Sequence, residues 1–85
     1  LKNYSSAEKL YQKGYEIYYD KFGSNHQKIS YAHSWLGALY GEMGRMDKAK
    51  YHYEQAISIS EKVLGDDHHL HKKYLEDWAK LQNNL

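Results

Sequence analysis

The sequence predicts an all-α fold of about four helices, which pack as antiparallel hairpins in a stacked array. Apolar residues recur at steps of three and four, and no segment alternates apolar and polar residues over the length of a strand. Glycine-containing turns interrupt these stretches at three places, and the chain resembles itself after a shift of 42 residues. With 41% hydrophobic and 27% charged residues, the 85-residue chain has an ordinary globular composition rather than that of a disordered segment.

Three turn signals divide the chain into its helices. Gly23, Gly44 and Gly65 each follow an apolar stretch directly, where the end of a helix favours a residue in the left-handed conformation. The predicted helices therefore span residues 4–22, 27–43, 46–64 and 68–83.

The second and third predicted helices each carry an apolar stripe along one face, and such stripes are buried against neighbouring helices. Only Gly44 and Arg45 connect these two helices, and so short a connection predicts an antiparallel hairpin. The stripes comprise Ile29, Ala32, Leu36, Leu39, Tyr40 and Met43 in the second helix, and Met46, Ala49, Tyr53, Ala56, Ser60, Val63 and Leu64 in the third.

The first and last predicted helices are related to the third and second helices by the 42-residue shift. The matches fall at helix-packing and turn positions, and a fixed period of this size is typical of stacked helical repeats. The identical pairs are Ala7 and Ala49, Tyr11 and Tyr53, Ile17 and Ile59, Gly23 and Gly65, His26 and His68, and Leu39 and Leu81. Similar residues pair as Gly14 with Ala56, Tyr15 with Ile57, Phe22 with Leu64, and Gly37 with Ala79.

The two outer helices are predicted to be less well covered than the inner pair. Tyr4 and Leu10 on the first helix have no partner helix, and exposed apolar surface promotes self-association. We therefore expect the isolated chain to form dimers or to exchange helices. Asp67 is the predicted N-cap of the last helix, and the polar tail at 82–84 suits a helix that caps a stack.

The second and third helices carry a pattern of apolar, small, aromatic and turn residues at fixed spacing. Its members are Leu36, Gly37, Tyr40, Gly44, Ala49, Tyr53 and Ala56, and in this pattern the chain resembles the tetratricopeptide repeat (TPR) family. The resemblance implies a right-handed superhelical α-solenoid. The sequence departs from the family in two places, since His33 replaces a tryptophan and Glu61 replaces a proline. The third helix therefore continues to Leu64, and the period is 42 rather than about 34 residues.

The longer period is similar to that of the repeats of kinesin light chain and of many bacterial members of the family. Those repeats end in a segment like 63–68, and residues 21–26 have a similar pattern. On this resemblance, residues 1–85 are a repeat fragment with one complete repeat at 26–67. Residues 4–22 are then the second helix of a preceding repeat, and 68–83 the first helix of a following or capping repeat. The chain begins at Leu1 without a signal-peptide pattern, which we interpret as a piece cut from a larger protein.

The resemblance also implies a function, because the first helices of such repeats line a concave groove that holds a peptide or helix of a protein partner. The groove candidates are Tyr31, Ser34, Trp35, Ala38, Glu42, Lys73, Glu76, Asp77 and Lys80. Trp35 is the best candidate for an anchor, although an aromatic residue at this spacing can equally pack against an adjacent repeat. The alternative function is a purely structural or self-associating segment of a larger protein.

Two ligand classes known in the family are not expected here. A clamp for a C-terminal carboxylate needs basic residues on the first helices, but only Lys73 matches and Asp77 stands where a basic residue is needed. The asparagine pair of the kinesin-light-chain type is replaced by Ser34 and Trp35. The chemical class of the ligand therefore cannot be carried over from these relatives.

Composition argues against most other functions. The net charge is +1, from 12 basic and 11 acidic residues, and acidic residues interleave with the lysines and tyrosines, so no nucleic-acid partner is expected. No apolar segment approaches the length of a membrane span. We expect no enzymatic activity and no cofactor, since cysteine, a glycine-rich phosphate loop and paired carboxylates in a cleft are all lacking. An intracellular location is the default.

The histidines offer a weak alternative of a metal site. His68 and His71 lie one helical turn apart and could share an ion. Against this, His26 occupies the same repeat position as His68 without neighbouring histidines, and a zinc signature needs a fuller set of ligands. We therefore expect no physiological metal.

Overall fold

The computed structural model describes residues 3–83, which form four α-helices and no strand. The helices are α1 (Tyr4–Phe22), α2 (Gln27–Glu42), α3 (Met46–Leu64) and α4 (His69–Asn83). The predicted all-α fold is confirmed, with every described helix end within one residue of its predicted position. Asn84 of the predicted polar tail lies outside the described residues.

Glycine ends the first three helices. Gly23, Gly44 and Gly65 have φ values of 79°, 77° and 87°, which lie in the left-handed region that favours glycine. The amide of Gly23 donates to the carbonyl of Tyr19 (2.9 Å), and that of Gly65 donates to Glu61 (3.2 Å). These turns allow each helix to reverse onto the preceding one, as the sequence predicts.

Histidine caps the N-termini of α2 and α4. The Nδ1 atom of His26 accepts a hydrogen bond from the amide of Lys28, and that of His68 accepts one from Leu70, both at 3.1 Å. The prediction that Asp67 caps the last helix is therefore wrong. Because α4 begins at His69, one residue later than predicted, the capping position falls on His68. The identity of His26 and His68 in the 42-residue period thus reflects a shared capping role.

The core lies around the α2–α3 hairpin, with α1 packed on the outside of α2 and α4 packed on α3. Most of the predicted stripe residues are buried, whereas Val63, in the last turn of α3, is exposed. Among the described residues, α1 contributes no fully buried side chain. The buried apolar residues are Ile29, Ala32, Leu36, Leu39 and Tyr40 of α2, Ala49, Tyr53, Ala56 and Ile59 of α3, and Tyr74 of α4.

Two glycines allow close approach to the backbone of α2. A methyl group added at Gly37 would lie 2.8 Å from the ring of Tyr53 on α3, and one added at Gly41 would lie 2.8 Å from Leu81 on α4. Gly37, a small residue of the repeat pattern, thus allows the ring of Tyr53 to approach the helix backbone. The role of Gly41 was not predicted, because the spacing of the repeat motif does not single it out.

Tyr40 joins three helices through one buried side chain. Its hydroxyl donates to the carboxylate of Glu8 on α1 (2.5 Å) and accepts from the amide nitrogen of Gln12 (3.4 Å). Its ring stacks on His52 of α3, with the ring centres 5.4 Å apart. Burial raises the pKa of Tyr40, and the hydrogen bond to Glu8 raises it further. Tyr40 therefore fixes the positions of α1 and α3 relative to α2.

Gly37→Ala tests the close packing of α2 and α3. Alanine favours a helix over glycine by about 1 kcal/mol, but overpacking against Tyr53 costs about 1–3 kcal/mol. We expect Gly37→Ala to leave stability unchanged or to lower it by up to about 2 kcal/mol in denaturant unfolding.

Gly14→Ala is the matched control, since a methyl group there meets only the ring of Trp35 at an ordinary 3.5 Å. It should raise the free energy of unfolding by up to about 1 kcal/mol. Equal stabilisation by both substitutions would contradict the close contact at Gly37.

Candidate functional site

A groove of about 360 Å³ runs between α2 and α4. Tyr53 of α3 contributes to its base, and Tyr11 of α1 contributes at one side. Aromatic side chains predominate, and the charged groups are few. The lining residues are Tyr11, Tyr31, Ser34, Trp35, Ala38, Leu39, Glu42, Tyr53, Leu70, Lys73, Tyr74 and Asp77.

The fold brings most of the predicted groove residues together. Seven of the nine line this groove, namely Tyr31, Ser34, Trp35, Ala38, Glu42, Lys73 and Asp77. Lys80 lines an adjoining cavity of about 370 Å³, which shares four lining residues with the groove, namely Ala38, Glu42, Tyr53 and Asp77. Glu76 is exposed and lines none of the described cavities. Tyr11, Tyr53 and Tyr74 also line the groove but were not predicted to do so from the sequence. Tyr11 enters from α1 and Tyr53 from α3, and Tyr74 enters from the packed side of α4.

Trp35 combines the two roles that the sequence left open. Its ring lies 5.9 Å from the rings of both Tyr11 and Tyr18 on α1, so it packs against the neighbouring helix. It also lies 4.9 Å from Tyr31 and lines the groove. Trp35 is therefore a half-buried wall of the groove that is held in place from behind.

The charged groups of the groove centre on Asp77. Lys73 donates to its carboxylate at 3.0 Å across one turn of α4, and this hydrogen bond raises the pKa of Lys73. Burial raises the pKa of Tyr53 to about 12, with the negative charge of Asp77 adding to the effect. The exposed ion pair contributes little to stability, so it serves as a polar margin beside the aromatic surface.

Tyr74 brings a buried hydroxyl to the groove. The residue is 1% exposed, and its hydroxyl makes no hydrogen bond of good geometry with the described residues. Burial raises the pKa of Tyr74, while the neighbouring hydroxyls of Ser30 and Ser34 act in the opposite direction. A polar group of a ligand that reached this point would satisfy a hydroxyl whose burial is otherwise costly.

A second cavity, of about 300 Å³, lies between α1, α2 and α3 and contains a histidine pair. The Nδ1 atoms of His33 and His52 are 3.0 Å apart, so one ring donates a hydrogen bond to the other. Burial lowers the pKa of His33 to about 4, with the charge of His52 adding to the effect. Burial also lowers the pKa of His52, assisted by Lys48. The pair was not predicted, because the two residues are 19 positions apart and no local motif joins them.

The structure gives His68 and His71 separate structural roles. The Nδ1 atom of His68 caps α4, and that of His71 lies 2.8 Å from the hydroxyl of Ser60. Between residues 3 and 83, no group of three or more histidine, cysteine or acidic side chains is placed to hold a metal ion. Among the same residues, no helix combines the length and apolar character needed to cross a bilayer.

Comparison with known proteins identifies one family. A family model described as tetratricopeptide repeat matches residues 28–82, which are 55 of the 85 residues and include nearly all of α2, α3 and α4. No curated protein and no solved structure matches the chain.

The burial of His33 predicts how stability depends on pH. Because the pKa of His33 is about 4 in the folded state and about 6.5 when unfolded, the folded state disfavours the charged ring. The contribution of neutral His33 to the free energy of unfolding is fully present above pH 6.5. It is lost as the pH falls from 6.5 towards 4. The loss is on the order of 3 kcal/mol.

Denaturant unfolding between pH 4 and 7.5 measures this effect. His33→Gln should flatten the dependence in that window relative to the unmodified chain, whereas His69→Gln, at an exposed position, should retain it. Identical pH profiles for the unmodified chain and His33→Gln would contradict the assignment.

Proposed function

The chain belongs to the tetratricopeptide repeat family, and we propose that it is an interaction scaffold that binds a peptide or helix of a protein partner between α2 and α4. Members of the family generally act as protein–protein interaction modules. The observation that carries the proposal is the groove, whose aromatic lining comprises the exposed Tyr11 and Tyr31, the half-buried Trp35, and the buried Tyr53 and Tyr74.

The composition of the groove suits a protein ligand. Tyrosine and tryptophan are the residues that most often dominate binding energy at interfaces, because they offer large apolar surfaces with a polar edge. Lys73 and Asp77 supply a polar rim, which is the usual arrangement around such a centre. A groove between two helices is a known binding mode for one apolar face of a partner helix.

The same residues offer no reaction chemistry, and we propose a function without catalysis, cofactor or metal. Asp77 is already paired with Lys73. Tyr53 and Tyr74 have raised pKa values, so their phenols stay protonated and are poor bases at neutral pH. The groove can therefore bind and orient a ligand, but its groups are not arranged to transform one.

We also propose the division into repeats given by the 42-residue period, with residues 26–67 as one repeat of the kinesin-light-chain-like length. Capping and turn residues that recur at the 42-residue interval support this division. His26 and His68 cap helices 42 residues apart, and Gly23 and Gly65 end helices at the same interval. The helix α3 continues through Glu61 to its end at Leu64, past the usual place of a proline.

The alternative is a purely structural or self-associating segment, in which the groove has no ligand. The exposed apolar residues of α1 and α4 are the observation that favours it. The two functions differ in their dependence on the groove, so a variant that fills the groove distinguishes them. Trp35→Ala is less suitable for this purpose, because Trp35 also holds α1 in place.

Ala38→Arg is the sharper test, because Ala38 is exposed on α2 and lines both the groove and the adjoining cavity. The large charged side chain should block a ligand without disturbing the core. Peptides selected from a displayed random library on the unmodified chain should lose at least tenfold in affinity for Ala38→Arg.

Ser58→Arg is the matched control, with the same change of charge at an exposed position of α3 that lines none of the described cavities. The selected peptides should bind this variant normally. A library that yields no peptide, or peptides that bind Ala38→Arg as well as Ser58→Arg, would favour the structural alternative.

A further inference from the structure

The outer faces of α1 and α4 expose aliphatic side chains. Leu10 on α1 is 70% exposed and Leu75 on α4 is 45% exposed, and Ile17 adds a third such residue at 54%. Within residues 3–83, α1 packs mainly against α2, and α4 packs mainly against α3. Two apolar faces therefore remain uncovered at opposite ends of the stack.

The 42-residue period relates contacts as well as residues. Tyr11 of α1 lies 5.9 Å from Trp35 of α2. Forty-two residues later, Tyr53 of α3 lies close enough to Asp77 of α4 for the carboxylate to raise its pKa. The pair α1–α2 is thus equivalent to the pair α3–α4, which makes α3 the counterpart of α1 and α4 the counterpart of α2.

The α2–α3 contact is the most extensive one between helices, and it occurs once among the described residues. Its counterpart would join α4 to a helix like α1. On the face of α4 that corresponds to the α3-facing side of α2, Leu75 and Ala79 are exposed. On the face of α1 that corresponds to the α2-facing side of α3, Leu10 is exposed and so, to a smaller extent, is Tyr11. These exposed faces of α4 and α1 therefore correspond to the surfaces of α2 and α3 that already pack against each other.

Specific residue pairs carry over from the packed contact to the open faces. His33 of α2 and His52 of α3, whose Nδ1 atoms are 3.0 Å apart, correspond to Leu75 of α4 and Leu10 of α1. The two leucines that are exposed at the ends of the stack would thus meet each other. In the same register Gly37 and Tyr53 correspond to Ala79 and Tyr11.

We propose that copies of this chain associate head to tail, with the outer face of α1 in one copy packed on the outer face of α4 in the next. Leu10 and Leu75 form the apolar centre of this contact. The methyl group of Ala79 holds the helices slightly further apart than Gly37 does, so the contact is weaker than the α2–α3 hairpin. The interface joins two different surfaces and leaves one of each free, so association is open-ended and rises with concentration.

The centre of this association, Leu10 and Leu75, does not line the groove, so the association can be tested independently of peptide binding. Sedimentation equilibrium of the unmodified chain should show a mean mass that rises with concentration up to about 1 mM. Leu10→Glu and Leu75→Glu should each remain monomeric over the same range, because each lacks one of the two faces. Circular dichroism checks that the variants are folded, and Ala79→Glu replaces Leu75→Glu if the latter unfolds.

An equimolar mixture of the two variants distinguishes head-to-tail association from a symmetric dimer. The intact α4 face of Leu10→Glu can pack on the intact α1 face of Leu75→Glu, so the mixture should form dimers and nothing larger. Tyr19→Glu is the control, because Tyr19 is an exposed residue of α1. Its equivalent on α3, Glu61, is also exposed. The Tyr19→Glu variant should therefore associate like the unmodified chain.

Several results would overturn the proposal. The unmodified chain could show a single monomeric mass at all concentrations, or either of the two leucine variants could continue to associate alone. The mixture of the two variants could stay monomeric, or Tyr19→Glu could lose its association. Continued association of one variant alone would indicate a symmetric contact through the other helix.

Discussion

Close packing around α2 positions the other three helices. Gly37 gives Tyr53 of α3 direct access to the helix backbone, and Gly41 does the same for Leu81 of α4. On the remaining side, the hydroxyl of Tyr40 binds Glu8 of α1. Each neighbouring helix is thus positioned by a contact with α2. A larger side chain at Gly37 would push Tyr53 and α3 outward, because packed interiors leave no room for added atoms, whereas one at Gly41 would displace the end of the Leu81 side chain.

The groove is a consequence of this arrangement. Since α3 lies against both α2 and α4, its residue Tyr53 reaches the space between them and contributes to the base. Trp35 forms a wall because Tyr11 and Tyr18 of α1 support it from behind. The aromatic surface that we propose for ligand binding is therefore part of the packing that holds the helices together. A rigid surface of this kind loses little conformational freedom when a partner binds.

Much of the fold was predictable, because helical spacing and the glycine turns are local features of the sequence. Seven of the ten groove-lining residues on α2 and α4 were also predictable from their positions on the first helices of repeats. Contacts between helices were harder to predict from the sequence, because they depend on the rotation of each helix about its axis. For this reason the sequence did not reveal the pairing of His33 with His52 or the entry of Tyr74 into the groove. The cap at His68 was missed because it required the exact start of α4.

The most direct measurement of the central claim is the NMR spectrum of the chain during titration with a peptide selected for binding. The two tryptophans provide distinct indole signals, because Trp35 lines the groove whereas Trp78 packs against Tyr53 and the core around Leu36. We expect the indole signal of Trp35 and the amide signals of Ala38 and Lys73 to shift together as the peptide saturates the groove. Shifts confined to the histidine cavity or to the outer face of α1, with these signals unchanged, would contradict binding in the groove.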